Sequence, residues 1–217
     1  LAVNDESATF GLVRQYGLEK MGRIDSTASG KLYESDRKSE RSRFYQKICS
    51  MMKDYMEIKN IKAAIIAGPG FPKKELYSRL KEKFPDIASR THLGTTSTGG
   101  EAGLNEIVRR GIVKRVLKDD RISFETGLIE KMMKGITKEG LATYGFEDVK
   151  SALNQGAVEM LLVADDLLRK NRKKVEPLLD LARNTGGRAV IVSTEHEAGK
   201  QLSRLGGLGA LLRFRPS

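Results

Sequence analysis

Apolar positions along the chain change period several times, and each change marks an element. Residues 8–14 suit a strand, Tyr16 and Gly17 offer a turn, and residues 18–24 return as the second arm of a hairpin. Residues 25–33 have no apolar period and hold Ser26, Thr27, Ser29 and Gly30, so they read as a loop. The period then becomes helical: Phe44, Ile48, Met51, Met52, Tyr55 and Met56 fall on one stripe, as a half-buried helix requires. The apolar run 63–67 suits a strand buried on both faces, ended by Gly68-Pro69-Gly70. Pro72 fits a first helical turn, continued by Leu76, Leu80 and Phe84. A weak strand at 91–94 precedes Thr98 and Glu101, whose spacing predicts a capping box and a helix through Leu104, Ile107 and Val108. This alternation predicts a mostly parallel sheet covered by helices.

The second half repeats the class. Helices are predicted over 122–136, 146–153 and 175–182, with buried strands at 160–164 and 189–193. Thr194 and Glu197 have capping-box spacing ahead of a helix to about Leu205. Gly206-Gly207 then leads to a last strand at 210–214. A charged run at 118–121 separates two helical patterns and predicts a domain boundary there, giving domains 1–118 and 119–217. Either half is long enough to bury its own core without a metal or disulfide.

Charge sharpens the division. The chain of 217 residues carries a net +11, and the first 118 residues hold 23 Lys and Arg against 14 Asp and Glu. The remainder holds 16 against 14. A basic half suggests a polyanion partner, and a nearly neutral half suggests a protein partner. A solvated basic surface is the plain alternative. The one cysteine, Cys49, lies on the apolar stripe, which predicts a buried thiol and favours a reducing compartment. No apolar run reaches the length of a membrane span, so no membrane partner is expected. The chain opens on Leu1 and not on Met, which suggests a piece of something longer.

Candidate chemistry is sparse. His92 and His196 lack metal-ligand spacing, and His196 reads as a first-turn surface residue. The glycine-rich runs 68–71 and 94–103 each lead from a strand into a helix, where N–H groups favour anions. Neither matches a phosphate-loop fingerprint, so tight turns are the preferred reading. Glu159, Asp165 and Asp166 surround a buried strand and offer Mg²⁺ or acid–base chemistry, but helix capping explains the two aspartates better. The densest signal is the basic stretch from Arg23 to Lys47. It puts Lys31 in a loop and Arg37, Lys38, Arg41, Arg43 and Lys47 on the start of a helix, all suited to phosphate. Glu34, Asp36 and Glu40 are interleaved, as on an ordinary solvated face.

Several ordered motifs resemble the Pelota family, paralogues of the class-1 translation release factors. They are Ser29-Gly30-Lys31-Leu32-Tyr33 with the following run 36–45, and Ile66-Ala67-Gly68-Pro69-Gly70-Phe71-Pro72-Lys73-Lys74. Thr96-Ser97-Thr98-Gly99-Gly100-Glu101 and the runs to 106, 142–150, 156–159 and 211–215 complete the set. The resemblance implies an α/β protein of two domains: an RNase H-like central release-factor domain, then an α-β-α sandwich like that of kink-turn RNA binders. The family's Sm-like first domain, to which divalent-metal endonuclease proposals attach, has no counterpart here. No cofactor, metal site or catalytic residue is therefore expected of these residues. Release factors carry Gly-Gly-Gln in a central-domain loop, corresponding here to about 25–33, whereas the Gly99-Gly100 pair is followed by Glu101.

The resemblance thus implies a cytoplasmic rescue factor acting in no-go decay. It would enter stalled ribosomes with a translational GTPase of the elongation-factor class and split them with an ABC-type recycling ATPase. It implies rRNA contact through Lys31, Arg37, Lys38, Arg41, Arg43 and Lys47, and marks Pro69, Gly70, Phe71, Lys73 and Lys74 as GTPase-contact candidates. In the second domain Glu147 stands where a kink-turn binder has Asn, with Asp148 beside it, so a protein-binding surface is expected there. A monomer is expected. A metal-dependent ribonuclease and a plain RNA-binding protein are the competing readings.

Overall fold

A computed structural model of the chain describes residues 1–14, 17–27 and 34–216, with the side chains of residues 34–37, 138 and 139 outside the description. The chain divides into two compact units, Leu1–Leu117 and Lys118–Ser217. Lys31 and most of the predicted 25–33 loop lie outside the described residues, as do Tyr16 and the side chain of Arg37.

The first unit holds β1 (Ala2–Val3), β2 (Ser7–Arg14), β3 (Gly17–Asp25), α1 (Glu34–Ile58), β4 (Ala64–Gly68), α2 (Pro72–Lys83), α3 (Pro85–Ser89), β5 (Thr91–Thr95) and α4 (Gly100–Arg109). Its sheet order is β3-β2-β1-β4-β5. The expected hairpin is β2 and β3, paired antiparallel with Arg14 opposite Gly17. The sheet is mixed, and not mostly parallel, because the two-residue β1 pairs antiparallel with β2 and parallel with β4. One face packs under α1 and α2, where Phe44, Tyr45, Ile48, Cys49, Met52, Leu76 and Leu80 are buried with Phe10 and Ile66. The other packs Ala2 and Ala67 against Leu104, Ile107, Ile112 and Val116. Burial pushes the Cys49 thiol up to about 11, which leaves it protonated and unreactive at neutral pH.

α5 (Ile112–Lys134) is one unbroken helix through the charged run that suggested two, and the division between units falls inside it. Lys and Arg propagate a helix nearly as well as Ala, so a charged run alone does not stop one. A π-helical turn, Gly135–Glu139, closes it. The second unit continues with β6 (Ala142–Tyr144), α6 (Phe146–Asn154), β7 (Val158–Ala164), α7 (Asp165–Lys170), α8 (Arg172–Asn184), β8 (Arg188–Val192), α9 (Glu197–Arg204) and β9 (Leu208–Leu212). Its sheet order is β6-β9-β7-β8. Val158, Leu161, Val163, Leu208 and Ala210 face α6 and α8, while Met160, Leu162 and Leu211 face α5 and α9. The alternation along β7 thus builds an α-β-α sandwich.

Both capping boxes fail. α4 is capped by Gly99 and no side chain, because Thr98 lies one residue too early. α9 is capped by His196, whose ring accepts the Gly199 N–H, and Thr194 is turned to another partner. The cap position of α7 is Ala164 and not an aspartate, but Asp166, in the first turn, does take one of the helix's free donors, the Leu167 N–H, at 2.8 Å. Asp165 instead accepts both the N–H and the hydroxyl of Thr194, and Asp166 accepts the Ser203 hydroxyl.

Candidate nucleic-acid interface

The apolar stripe of α1 dictates where its cations go. With Phe44, Tyr45, Ile48 and Met52 buried, Arg43 and Lys47 fall on the exposed flank, one turn apart. They line an open groove with Gln46, Ser50, Met51 and Asp54 of α1 and Arg23 and Ile24 of β3. Arg23 is held by Asp25 at 2.6 Å. Arg43 and Lys47 make no ion pair with any described residue, so both are available to a polyanion. Arg23 was only the start of the basic stretch in the sequence; the hairpin register brings it beside α1.

Arg41 points elsewhere. It pairs with Glu75 of α2 and with Asp5 at 3.9 Å, donates to the Tyr45 hydroxyl, and lies 5.7 Å from the Tyr45 ring centre. Arg79 reaches the same ring at 5.5 Å. Arg41 is a clamp between α1, α2 and the β1–β2 turn, and its separation from Arg43 follows from the helical period. Lys38 is exposed on the preceding turn. Replacing Arg43 and Lys47 together by Ala should leave the fold within about 0.5 kcal/mol and flatten the slope of log RNA affinity against log salt by about 1.4, at ~0.7 per phosphate contact. Arg41→Ala should do the reverse, lowering Tm with little change of slope. Equal slopes for the two variants in a salt titration would refute this division.

The run after β4 projects from the end of the sheet. Gly70 and Lys74 are exposed, Pro69 is partly so, and Phe71 is 77% exposed. Lys73, a contact candidate from sequence, is 7% exposed, and its ammonium donates to the Gly68 carbonyl at 2.6 Å. It braces the loop and is not displayed to a partner. A lysine three residues after a Gly-Pro-Gly turn gives no sequence cue to that burial.

The other glycine-rich run is filled from within. Glu106, nearly buried, accepts the Ser97 N–H at 2.9 Å and the Ser97 hydroxyl at 3.1 Å, and pairs with Arg110 at 2.9 Å. Burial works to raise this carboxyl, yet the bonds from Ser97 and the charge of Arg110 hold it below its ordinary value. A carboxylate thus already sits where an anion would be cradled.

In the second unit the buried polar group is Glu125 of α5. It accepts from Arg121 at 2.6 Å, from the Ser193 N–H at 2.8 Å and from His196 Nε2 at 2.7 Å. Because Nδ1 accepts the Gly199 N–H, Nε2 carries the proton given to Glu125. The His196 side chain is 9% exposed, so it is not the surface residue that its position suggested. Its partner lies 71 residues away, beyond any local pattern. Among the described residues no three His, Cys, Asp or Glu side chains converge as metal ligands.

Comparison with known proteins decides the family. Residues 1–119 match the eRF1 domain 2 model and residues 122–216 match eRF1 domain 3. The chain is 43% identical over 217 residues to a Pelota homologue of Thermococcus kodakarensis, covering 99% of the chain and 61% of that protein. The chain belongs to the Pelota branch of the eRF1 family. An archaeal Pelota solved bound to the ribosome with ABCE1 is 43% identical, with a TM-score of 0.75 over 98% of this chain and 60% of that one. Saccharomyces cerevisiae Dom34, described as a termination-like factor in RNA quality control that interacts with Hbs1, is 25% identical. Its TM-score is 0.64, covering 98% of this chain and 62% of Dom34. The Pelota-family chain spans about three fifths of the length of the curated relatives it matches.

Proposed function

We propose that this chain is the ribosome-engaging part of a rescue factor. It enters the A site of stalled ribosomes with a translational GTPase and promotes subunit dissociation with an ABC-type ATPase, as in no-go decay, without releasing the nascent peptide. The observation that carries the reading is a release-factor central domain with no Gly-Gly-Gln anywhere in its sequence. The relatives solved on the ribosome with ABCE1, or described as interacting with Hbs1, support the same partners. The cations of α1 and β3 supply rRNA contact, and the exposed Phe71 offers an apolar anchor to the GTPase.

Separated peptide-release and subunit-splitting assays test this. With the GTPase and the ATPase present, the chain should raise the fraction of free subunits on stalled ribosomes. It should leave peptidyl-tRNA intact at stop and sense codons alike. Peptide release above background, or no splitting with both partners present, would overturn the proposal.

A further inference from the structure

A helix start favours acids, because its first N–H groups point outward and its dipole is positive there. α2, α4, α6, α7 and α9 each carry an acid in the first turn. α8 does not. Its first three residues are Arg172, Lys173 and Lys174, separated only by Asn171 from Arg169 and Lys170, which end α7. Five cations stand within six residues, and all are exposed. The near-neutral sum of this half of the chain conceals their concentration.

Local pairing does not absorb this charge. Arg169 meets Asp165 and Lys170 meets Asp166, each at 3.5 Å, with both cations at least 70% exposed. Arg172 meets Glu176 at 2.6 Å, and it too is exposed. Exposed pairs of this kind are weak and exchange readily for a phosphate. Lys173 and Lys174 have no ion-pair partner among the described residues. The cations therefore repel one another and oppose the dipole of the helix they begin. Sequences break such local rules most often where a ligand compensates.

The chemistry of the surface narrows the ligand. None of the large exposed apolar side chains falls in residues 165–184, so the patch lacks the anchor on which a protein interface is built. Dense cations without an apolar centre fit a phosphate backbone, which is bound through charge and counterion release. We infer that the α7–α8 junction is a docking surface for the backbone of structured RNA. It is a second contact, carried by the second unit and made of residues other than those of the α1 groove. It deepens the ribosome reading above, which left RNA contact to the first unit.

The test uses the whole chain and a naked A-form RNA duplex, so that its failure is distinct from failure of the rescue reading. Arg172, Lys173 and Lys174 are replaced together by Gln, which keeps helix propensity. The slope of log affinity against log salt should flatten by about two to three units, at ~0.7–0.9 per contact. Tm should stay the same or rise, since the variant removes cations from the positive end of a helix. The Arg43→Ala/Lys47→Ala loss should add to this one. An unchanged slope in the folded Gln variant would refute the inference. So would displacement of the duplex from this patch by polyglutamate at matched charge, which would assign the surface to an acidic protein segment.

Discussion

Glu125→Ala is expected to cost the second unit about 3 kcal/mol, because it strips one buried carboxylate from three donors at once. Glu125 is 2% exposed and holds Arg121, the Ser193 N–H and His196 Nε2. Removal leaves an imidazole N–H and a backbone N–H without their acceptor in a largely buried site. The exposed Arg121 loses little by comparison, which keeps the figure at the low end for a broken buried pair. The effect should reach α9, since His196 caps that helix.

The same group makes this unit sensitive to acid. Burial works to raise the Glu125 carboxyl, but the bonds from His196, Arg121 and Ser193 outweigh it and hold the group below its ordinary value. Its contribution is therefore complete above the ordinary glutamate range, near pH 4.3, and is lost as pH falls through the lowered folded value. Asp165, held low against burial by the two bonds from Thr194, adds in the same direction. Urea melts from pH 7 down to 3 should show a steeper acid loss in wild type than in Glu125→Gln. Parallel pH profiles would show that the carboxylate is not ionised against these donors.

How much of this could be read in the sequence depended on range. The stripe Phe44–Ile48–Met52–Met56 forecast both the helix and its buried face, because periodicity reports burial directly. β1 escaped notice. Two residues carry no pattern, and Ala2 and Val3 are strand only because β2 and β4 flank them. β9 was displaced by two residues toward the C-terminus, since the glycine of Leu208-Gly209-Ala210 read as turn although the sheet accepts it. For the candidate site, the basic character of α1 was legible, but its partition was not. Arg41 and Arg43 look alike in sequence, yet one clamps Glu75 and the other lines the groove. Likewise Lys73 and His196 are polar residues at helix starts that are drawn inward, Lys73 by the Gly68 carbonyl of the preceding turn and His196 by the distant Glu125.

Gly68→Ala is expected to disrupt the first unit by about 3 kcal/mol, at the upper end of what overpacking costs. Gly68 ends β4 beside β1, and a Cβ built there would lie 1.9 Å from the Val3 carbonyl oxygen. That neighbour is backbone in a strand held between β2 and β4, so it cannot turn aside as a side chain would. The sheet itself must open. The Gly68 carbonyl also receives the Lys73 ammonium, so the displacement should loosen the loop that presents Phe71. Gly70→Ala is the control. Gly70 has φ +58, and its nearest obstacle to a Cβ is Pro72 Cδ at 3.7 Å, so that change carries the left-handed strain of about 1–2 kcal/mol and no clash. Denaturant melts should rank Gly68→Ala well below Gly70→Ala, with affinity for the proposed GTPase partner falling in the same order. A Gly68→Ala protein as stable as wild type would mean that β1 does not approach β4 this closely, and Lys73→Met, which removes the brace without a clash, would then be the larger perturbation of the two.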